Sequence, residues 1–201
     1  MEDVFKKINR SGFIEFIFMS SGLLFDKASS VVKVFFYRMR GYTLDYSIML
    51  GNNTVLFQSR RDAIKINKNV FIGDGVRIKA GFKGKIIIGE GTYIHDYSFI
   101  FAHNRLSIGS HTLIAPQVFI TDFDHKYPHD KYKHLMNSEK GYENKKVTIG
   151  SHVWIGTHSV ILPGVEIGDN VVIGAGSVVT KSISANSIAV GNPARVIKNR
   201  T

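Results

Sequence analysis

The stretch VTIGSHVWIGTHSVILPGVEIGDNVVIGAGSVV, residues 147–179, decides the fold. An aliphatic residue recurs in it at every sixth position: Ile149, Ile155, Ile161, Ile167, Ile173 and Val179. This period does not fit an α-helix, whose repeats fall near 3.6 and 7 residues. It fits short strands that turn a corner, with the central aliphatic side chain pointing inward on each face. The stretch therefore predicts a β-helix in which each coil buries its inner face on the next.

The six-residue period continues toward the N-terminus in groups of three. Its members there are Ile66, Ile72 and Ile78, then Ile88, Ile94 and Ile100, then Ile108, Ile114 and Ile120. Four extra residues at Gly81–Lys85 and two near His103–Leu106 separate the groups. Three hexads therefore predict one coil, with insertions tolerated at a corner. We expect residues 64–183 to form an all-β solenoid, a parallel β-helix of about five coils.

The largest break in the period, residues 121–146, is polar and rich in Lys and His. A loop of this length inside a compact repeat is usually functional or disordered. Insertions in a solenoid often map to the functional face. We therefore expect functional residues in this excursion loop.

The two ends of the chain differ from the repeat. Residues 1–41 are apolar and aromatic-rich, with a charge every few residues, and no uncharged run approaches the roughly 18 residues of a membrane span. Two amphipathic helices that cap the β-helix are the favoured interpretation. An interfacial segment on anionic lipid and a contact between subunits stay open as alternatives. Residues 42–63 are interpreted as a weakly strand-like transition and residues 184–201 as a basic C-terminal tail.

Composition narrows the function. The 201 residues suffice for one good-sized core, and the formal net charge is +10. The absence of cysteine excludes a disulfide framework, thiolate metal sites and a cysteine nucleophile. It is compatible with a cytoplasmic location, with the inner face of the membrane as an alternative. A basic surface suits polyanions, anionic membrane or a phosphorylated cofactor. We see no nucleic-acid-binding motif and expect no nucleic-acid partner.

Residues 154–198, WIGTHSVILPGVEIGDNVVIGAGSVVTKSISANSIAVGNPARVIK, resemble the hexapeptide-repeat acyltransferases. The motifs VWIG, ILPGVEIGDN, VIGAGSVVTK and GNPARVI, in this order, are typical of the sugar O-acetyltransferase branch. That branch is similar to galactoside and maltose acetyltransferases and to O-antigen and capsule acetyltransferases. The resemblance covers roughly residues 65–198. It implies a left-handed β-helix and a homotrimer that binds acetyl-CoA, the co-substrate, between neighbouring subunits and requires no metal.

His125, in the segment ITDFDH, is the expected catalytic base. Moving an acetyl group from a thioester to a hydroxyl requires a group that removes the alcohol proton, and a neutral imidazole is suited to this. Spacing alone leaves His125 tied with His129. The resemblance implies His125, at the mouth of the excursion loop. Asp124 and Asp122 are candidates for orienting its ring.

Other residues are expected to bind the two substrates. Trp154, the only tryptophan, should face outward because its neighbour Ile155 faces inward. It either packs between subunits or, as the resemblance implies, lines the site near the thioester and the acceptor. For acetyl-CoA we expect small and hydroxyl residues along the pantetheine arm and cations at the phosphates. These residues are Thr157, Ala175, Gly176, Thr180, Lys181, Arg195 and Lys198.

The resemblance implies that an asparagine of the preceding coil helps to hold the acceptor, and the comparable segment FAHNRL offers Asn104, with His103 as an alternative. Tyr127, Tyr132 and Tyr142 in the excursion loop are candidates for stacking on a sugar ring. The predicted function is therefore acetyl transfer to a sugar hydroxyl in the biosynthesis of a surface polysaccharide.

Three alternatives remain. One is N-acetylation of a nucleotide-linked amino sugar on the same scaffold. Another is a zinc enzyme of the γ carbonic anhydrase type, which uses three histidines that project from the coils. Here the only two histidines separated by four residues, His129 and His134, lie inside the excursion loop. His152 and His158 are six residues apart and would project from adjacent faces of the β-helix. The third is a purely structural β-helix, which would not need the His-bearing loop.

Overall fold

The structure, a computed structural model, describes residues 27–126 and 141–200. In this part of the chain a helix, α1 (residues 27–39), precedes a series of short strands. The strands are β1 (Thr43–Leu44), β2 (Met49–Leu50), β3 (Val55–Gln58), β4 (Ile64–Ile66), β5 (Phe71–Ile72), β6 (Arg77–Ala80), β7 (Lys85–Ile88), β8 (Tyr93–Ile94), β9 (Phe99–Ala102), β10 (Arg105–Ile108), β11 (Leu113–Ile114), β12 (Phe119–Thr121), β13 (Phe123–His125), β14 (Tyr142–Asn144), β15 (Val147–Ile149), β16 (Trp154–Ile155), β17 (Val160–Ile161), β18 (Glu166–Ile167), β19 (Val172–Ile173), β20 (Val178–Val179), β21 (Ser187–Val190) and β22 (Arg195–Asn199).

The strands form a β-helix with three parallel faces. The first sheet has the order β1-β4-β7-β10-β15-β18, the second β2-β5-β8-β11-β16-β19-β21-β22, and the third β3-β6-β9-β12-β17-β20. The chain visits the three sheets in rotation, so one strand from each makes one turn, and there are about six turns. In the second sheet, β22 closes the stack by running antiparallel to β21.

The core is a column of stacked aliphatic side chains. The register places each sixth residue on its counterpart in the next turn, as in Ile114 on Ile155 and Ile155 on Ile173. These side chains are almost fully buried. The parallel β-helix predicted from the six-residue period is confirmed.

Residues 42–63 form a complete first turn and not a transition. Strands β1, β2 and β3 pair in parallel with β4, β5 and β6. The inward residues of this turn, Leu44, Leu50 and Leu56, stand six apart and are buried. The six-residue period of inward aliphatic residues therefore begins in this turn, where the residues are leucines and not the isoleucines of the later turns. The structure has one turn more than the five expected.

Helix α1 covers the open end of this first turn. The buried Ser30 hydroxyl donates to the Ile48 carbonyl and accepts from the Leu50 N–H, both at 2.8 Å. Val34 is fully buried, and the Lys33 ammonium donates to the Gly51 carbonyl at 3.2 Å. The second half of the expected helical segment is thus a cap, and the first half lies outside the described residues. No helix in residues 27–126 and 141–200 is long and apolar enough to cross a membrane.

All the large insertions leave the β-helix at one corner, where the chain passes from the third sheet to the first. The connections at this third corner join β6 to β7, β9 to β10 and β12 to β15. The last of these is the excursion loop. Its described ends form a separate antiparallel pair, in which Phe123 of β13 faces Asn144 and His125 faces Tyr142 of β14. The corner insertions predicted from the breaks in the period therefore converge beside His125.

Candidate active site

His125 stands exposed at the end of β13, beside an open groove. The antiparallel pairing with β14 continues one residue further, where the Lys126 N–H donates to the Gly141 carbonyl at 3.0 Å. The groove lies over the third sheet and has a volume of about 360 Å³. It is lined by Phe101, Phe119, Thr121, Phe123, Asp124, His125, Leu162 and Pro163. An imidazole is thus presented to solvent at the edge of a largely apolar groove.

A cluster of aromatic rings fixes the strand that carries His125. The His103 ring stacks on Phe123, with centroids 3.6 Å apart and an interplanar angle of 5°. The His103 ring also makes T-shaped contacts with Tyr142 and Phe82, with ring centroids 4.5 Å and 4.6 Å apart. Tyr142 also contacts the His125 ring, at 4.4 Å between centroids. The cluster, defined as Phe82, His103, Phe123 and Tyr142, joins β13 and β14 to the third corner of the preceding turns.

His103 is held neutral inside this cluster. Burial, aided by the neighbouring His125, lowers the pKa of His103 to about 4. Its Nδ1 atom is buried and has no hydrogen-bond partner among the described residues. The ring faces Phe123, and aromatic neighbours pack against it. His103 therefore packs within the cluster, and its role as the alternative to Asn104 at the acceptor stays a prediction.

The two carboxylates expected to orient His125 bind main-chain atoms instead. Asp122 is fully buried, and its two oxygens accept the N–H groups of His103 at 2.7 Å and Asn104 at 2.9 Å. Burial raises the pKa of Asp122, and these backbone donors oppose the rise. Exposed Asp124 accepts the N–H of His125 itself at 2.8 Å. Both carboxylates therefore order the backbone around the site, and the described contacts place neither on the imidazole ring.

The acceptor candidates fall in different environments. Asn104 is exposed at the third corner, next to His103. Tyr142 is half-buried in the aromatic cluster, where its ring contacts His103 and Phe123, and its stacking on a sugar ring stays a prediction. Tyr127 and Tyr132 lie outside the described residues.

Thr157, Ala175 and Gly176 share the corner between the second and third sheets. The Gly176 N–H donates to the Thr157 carbonyl at 2.8 Å, which stacks the two turns. A Cβ atom at Gly156 would lie 2.5 Å from the Ala175 nitrogen, so the turns approach very closely. Gly176 has φ +66° and no atom within 4 Å of the position a Cβ would occupy. This corner therefore carries small side chains, its turns are closely stacked, and the space beside Gly176 is open.

The remaining candidates are spread around one end of the β-helix. Thr180 and Lys181 follow β20 and are exposed at the third corner. Arg195 and Lys198 are exposed on β22, at the edge of the second sheet. Trp154 projects from the second sheet, 51% exposed, beside the fully buried Ile155. Within one chain Trp154 and His125 lie on different faces, so the chain alone does not bring them together.

Groups of three or more His, Asp or Glu side chains that could hold a metal ion do not occur in the described residues.

The sequence of this chain is similar to those of known transferases. Residues 146–181 match the family model "Bacterial transferase hexapeptide (six repeats)". Galactoside O-acetyltransferase of Escherichia coli K12 is 38% identical over 166 residues, which cover 80% of this chain and 78% of that protein. WbbJ of the same organism, provisionally named a lipopolysaccharide biosynthesis O-acetyl transferase, is 38% identical over 68% of this chain and 71% of its own length.

Solved structures agree on the fold. A galactoside acetyltransferase in complex with coenzyme A superimposes with a TM-score of 0.58 at 38% identity, over 69% of this chain and 66% of that chain. An N-acyltransferase from Bacillus cereus has a TM-score of 0.67 at 24% identity over 80% of this chain and 83% of its own, a likeness of fold alone. The left-handed parallel β-helix is confirmed, and the chain belongs to the hexapeptide-repeat family of acyltransferases.

Proposed function

We propose that the protein is an acetyl-CoA-dependent O-acetyltransferase that modifies a sugar hydroxyl during the biosynthesis of a surface polysaccharide such as O-antigen, capsule or exopolysaccharide. The observation that carries this is the position of His125, exposed at the edge of an apolar groove on a strand braced by aromatic packing. The names of the relatives WbbJ and galactoside O-acetyltransferase support the sugar acceptor.

In the proposed reaction His125 carries one proton from the sugar hydroxyl to the CoA sulfur in two transfers. The neutral imidazole accepts the proton of the sugar hydroxyl as its oxygen attacks the thioester carbonyl carbon. The tetrahedral intermediate then collapses, the carbon–sulfur bond breaks, and the imidazolium returns the proton to the departing CoA sulfur. The products are the acetyl ester and free CoA, and the histidine is regenerated.

Acetyl-CoA would lie along the corner formed by Thr157, Ala175 and Gly176. Their small side chains and the open space at Gly176 allow an extended pantetheine arm to approach the backbone. Thr180 and Lys181 follow at the next corner, and Lys181, Arg195 and Lys198 supply positive charge for the phosphates. The galactoside acetyltransferase solved with coenzyme A supports this choice of co-substrate.

We propose a homotrimer with the active site between neighbouring subunits. His125 and Trp154 lie on different faces of one chain, so a site that uses both needs a second copy. The second sheet presents large exposed apolar side chains to such a neighbour, among them Tyr93, Leu113 and Trp154. A cytoplasmic location stays a prediction of the sequence.

The test is an assay of CoA release with a thiol-reactive dye, which the protein itself cannot react with because it has no cysteine. We expect His125→Ala to lower turnover by about 10²-fold or more, as for a lost general base, with coenzyme A binding retained. His111→Asn is the matched control, since His111 lies at another corner with φ 53° and Asn tolerates that conformation. Unchanged turnover in His125→Ala would place the base elsewhere.

The acceptor class is decided by a second comparison in the same assay. Sugars that offer only hydroxyls are tested against nucleotide-linked amino sugars, and mass spectrometry locates the acetyl group. Transfer to an oxygen supports the proposal. Transfer confined to the amine would show the N-acetyltransferase alternative.

A further inference from the structure

We propose that the outer face of helix α1 and the arginines beside it bind the surface of a bilayer that contains anionic lipid. The inner face of the helix is already used, because Ser30, Lys33 and Val34 fix it to the first turn. The direction in which its other side chains point is therefore set by the β-helix.

The outer face of α1 is apolar, which is unusual for a surface helix. Val31, Val32, Phe35, Phe36 and Met39 are between 47% and 65% exposed. A helix with one face on a core normally presents polar side chains on the other. Contiguous apolar side chains rimmed by polar ones mark interaction sites with proteins or membranes. The two adjacent phenylalanines give this face bulky aromatic groups of the kind that enter the headgroup region.

The charges around this face identify the partner. Residues 27–62 carry six basic and two acidic side chains, a net charge of +4 on 36 residues, whereas the whole chain has +10 on 201. Five of the six are exposed, namely Lys27, Arg38, Arg40, Arg60 and Arg61, and the sixth, Lys33, lies on the inner face with its ammonium on the Gly51 carbonyl. Arg60 and Arg61 are exposed, and Arg61 lies against Gly41, directly after the helix. Apolar side chains rimmed by cations match an anionic bilayer surface, which offers both hydrocarbon and negative charge.

A second copy of the same face is a poorer partner. In a two-fold contact the patch meets itself, so the cations of one copy would face those of the other. Like charges brought together at an interface oppose association. Anionic lipid neutralises the same cations.

Vesicle sedimentation of the full chain tests the proposal. We expect binding to phosphatidylcholine vesicles that contain phosphatidylglycerol, weaker binding to phosphatidylcholine alone, and loss of binding as salt screens the charges. Phe35→Ser combined with Phe36→Ser should weaken binding by about tenfold or more, and Arg60→Gln combined with Arg61→Gln should also weaken it. The matched control is Val196→Ser with Ile197→Ser, which removes two exposed apolar side chains from β22 at the other end of the β-helix.

A single label separates lipid from the other occupants. Because the chain has no cysteine, Phe36→Cys gives a unique site for a polarity-sensitive fluorophore, and Ile197→Cys gives its control. We expect the label at position 36 to shift to the blue when anionic vesicles are added, and to shift less with phosphatidylcholine vesicles alone. A label already blue-shifted without vesicles would show that residues 1–26 or a second copy cover the face, and would overturn the proposal. Vesicle binding that the phenylalanine variant leaves unchanged would overturn it as well.

Discussion

At the residue scale, burial sets the charge of His103 and links it to stability. The pKa of His103 is lowered from 6.5 to about 4 by burial and by the neighbouring His125. Because the folded-state pKa lies below the unfolded one, the unfolded chain binds more protons in this pH window. The free energy of unfolding should therefore fall as the pH is lowered from 6.5 toward about 4.

The matched variant is His103→Phe, which keeps a ring against Phe123 but cannot be protonated. We expect urea unfolding across this pH window to show a smaller loss of stability in the variant than in the wild-type protein. Carboxylates titrate in both proteins, so the difference between the two curves isolates the histidine. Parallel curves would show that His103 is not held neutral by the fold.

At the element scale, the β13–β14 pair carries the proposed base, and Tyr142 is the side chain through which β14 contacts it. Removing this ring in Tyr142→Ala should displace His125 and lower kcat by about tenfold or more, because small misplacements of a catalytic group are costly. The KM for acetyl-CoA should change little, since the corner proposed to bind it (the cofactor corner, Thr157, Ala175 and Gly176) is elsewhere. Tyr142→Phe keeps the ring and should stay near wild type. Loss of activity in both variants would instead assign a role to the hydroxyl.

The close stacking of turns at the cofactor corner makes a second prediction at this scale. In Gly156→Ala the new Cβ would meet the Ala175 backbone at 2.5 Å, which cannot move without disturbing the next turn. We expect a loss of about 1–3 kcal/mol in the free energy of unfolding, typical of an overpacked site, with a raised KM for acetyl-CoA.

Gly176→Ala is the control for this change. It has open space around the new methyl group and only the strain of φ +66° to accommodate. It should cost about 1–2 kcal/mol, the penalty of the left-handed conformation. A Gly156→Ala protein as stable as wild type would mean that adjacent turns separate easily.

The elements were more predictable from sequence than the site. Ile155 and its counterparts reveal the β-helix because each strand of every turn needs one aliphatic side chain that faces inward, and this requirement produces the six-residue period. The aromatic cluster carries no such period. Phe82, His103 and Phe123 stand at the breaks between hexads, and only the superposition of turns brings them together. His125 could be proposed because it opens the long loop in a recognised motif, whereas the neutral state of His103 depends on burial that no spacing reveals.

At the scale of the whole molecule, Trp154 reports on assembly. It is the only tryptophan and is 51% exposed in the single chain. If three copies enclose it, its emission should be blue-shifted in the assembly and move to the red at low protein concentration, as light scattering shows dissociation. Emission that stays constant while the mass changes would place Trp154 outside the interface. Titration with coenzyme A at fixed mass then tests separately whether the cofactor reaches it.

The third corner sets how this scaffold can be altered. Leu106 and Val147 lie side by side in adjacent turns although the excursion loop separates them in the chain, and Phe119 pairs with Val160 across the same gap. The strands on both sides of the loop therefore pair in the same register whatever the length of the loop. Exchanging the loop for that of a relative should transplant acceptor preference while the rest of the scaffold keeps its shape, which makes this corner a natural grafting point for new sugar specificities.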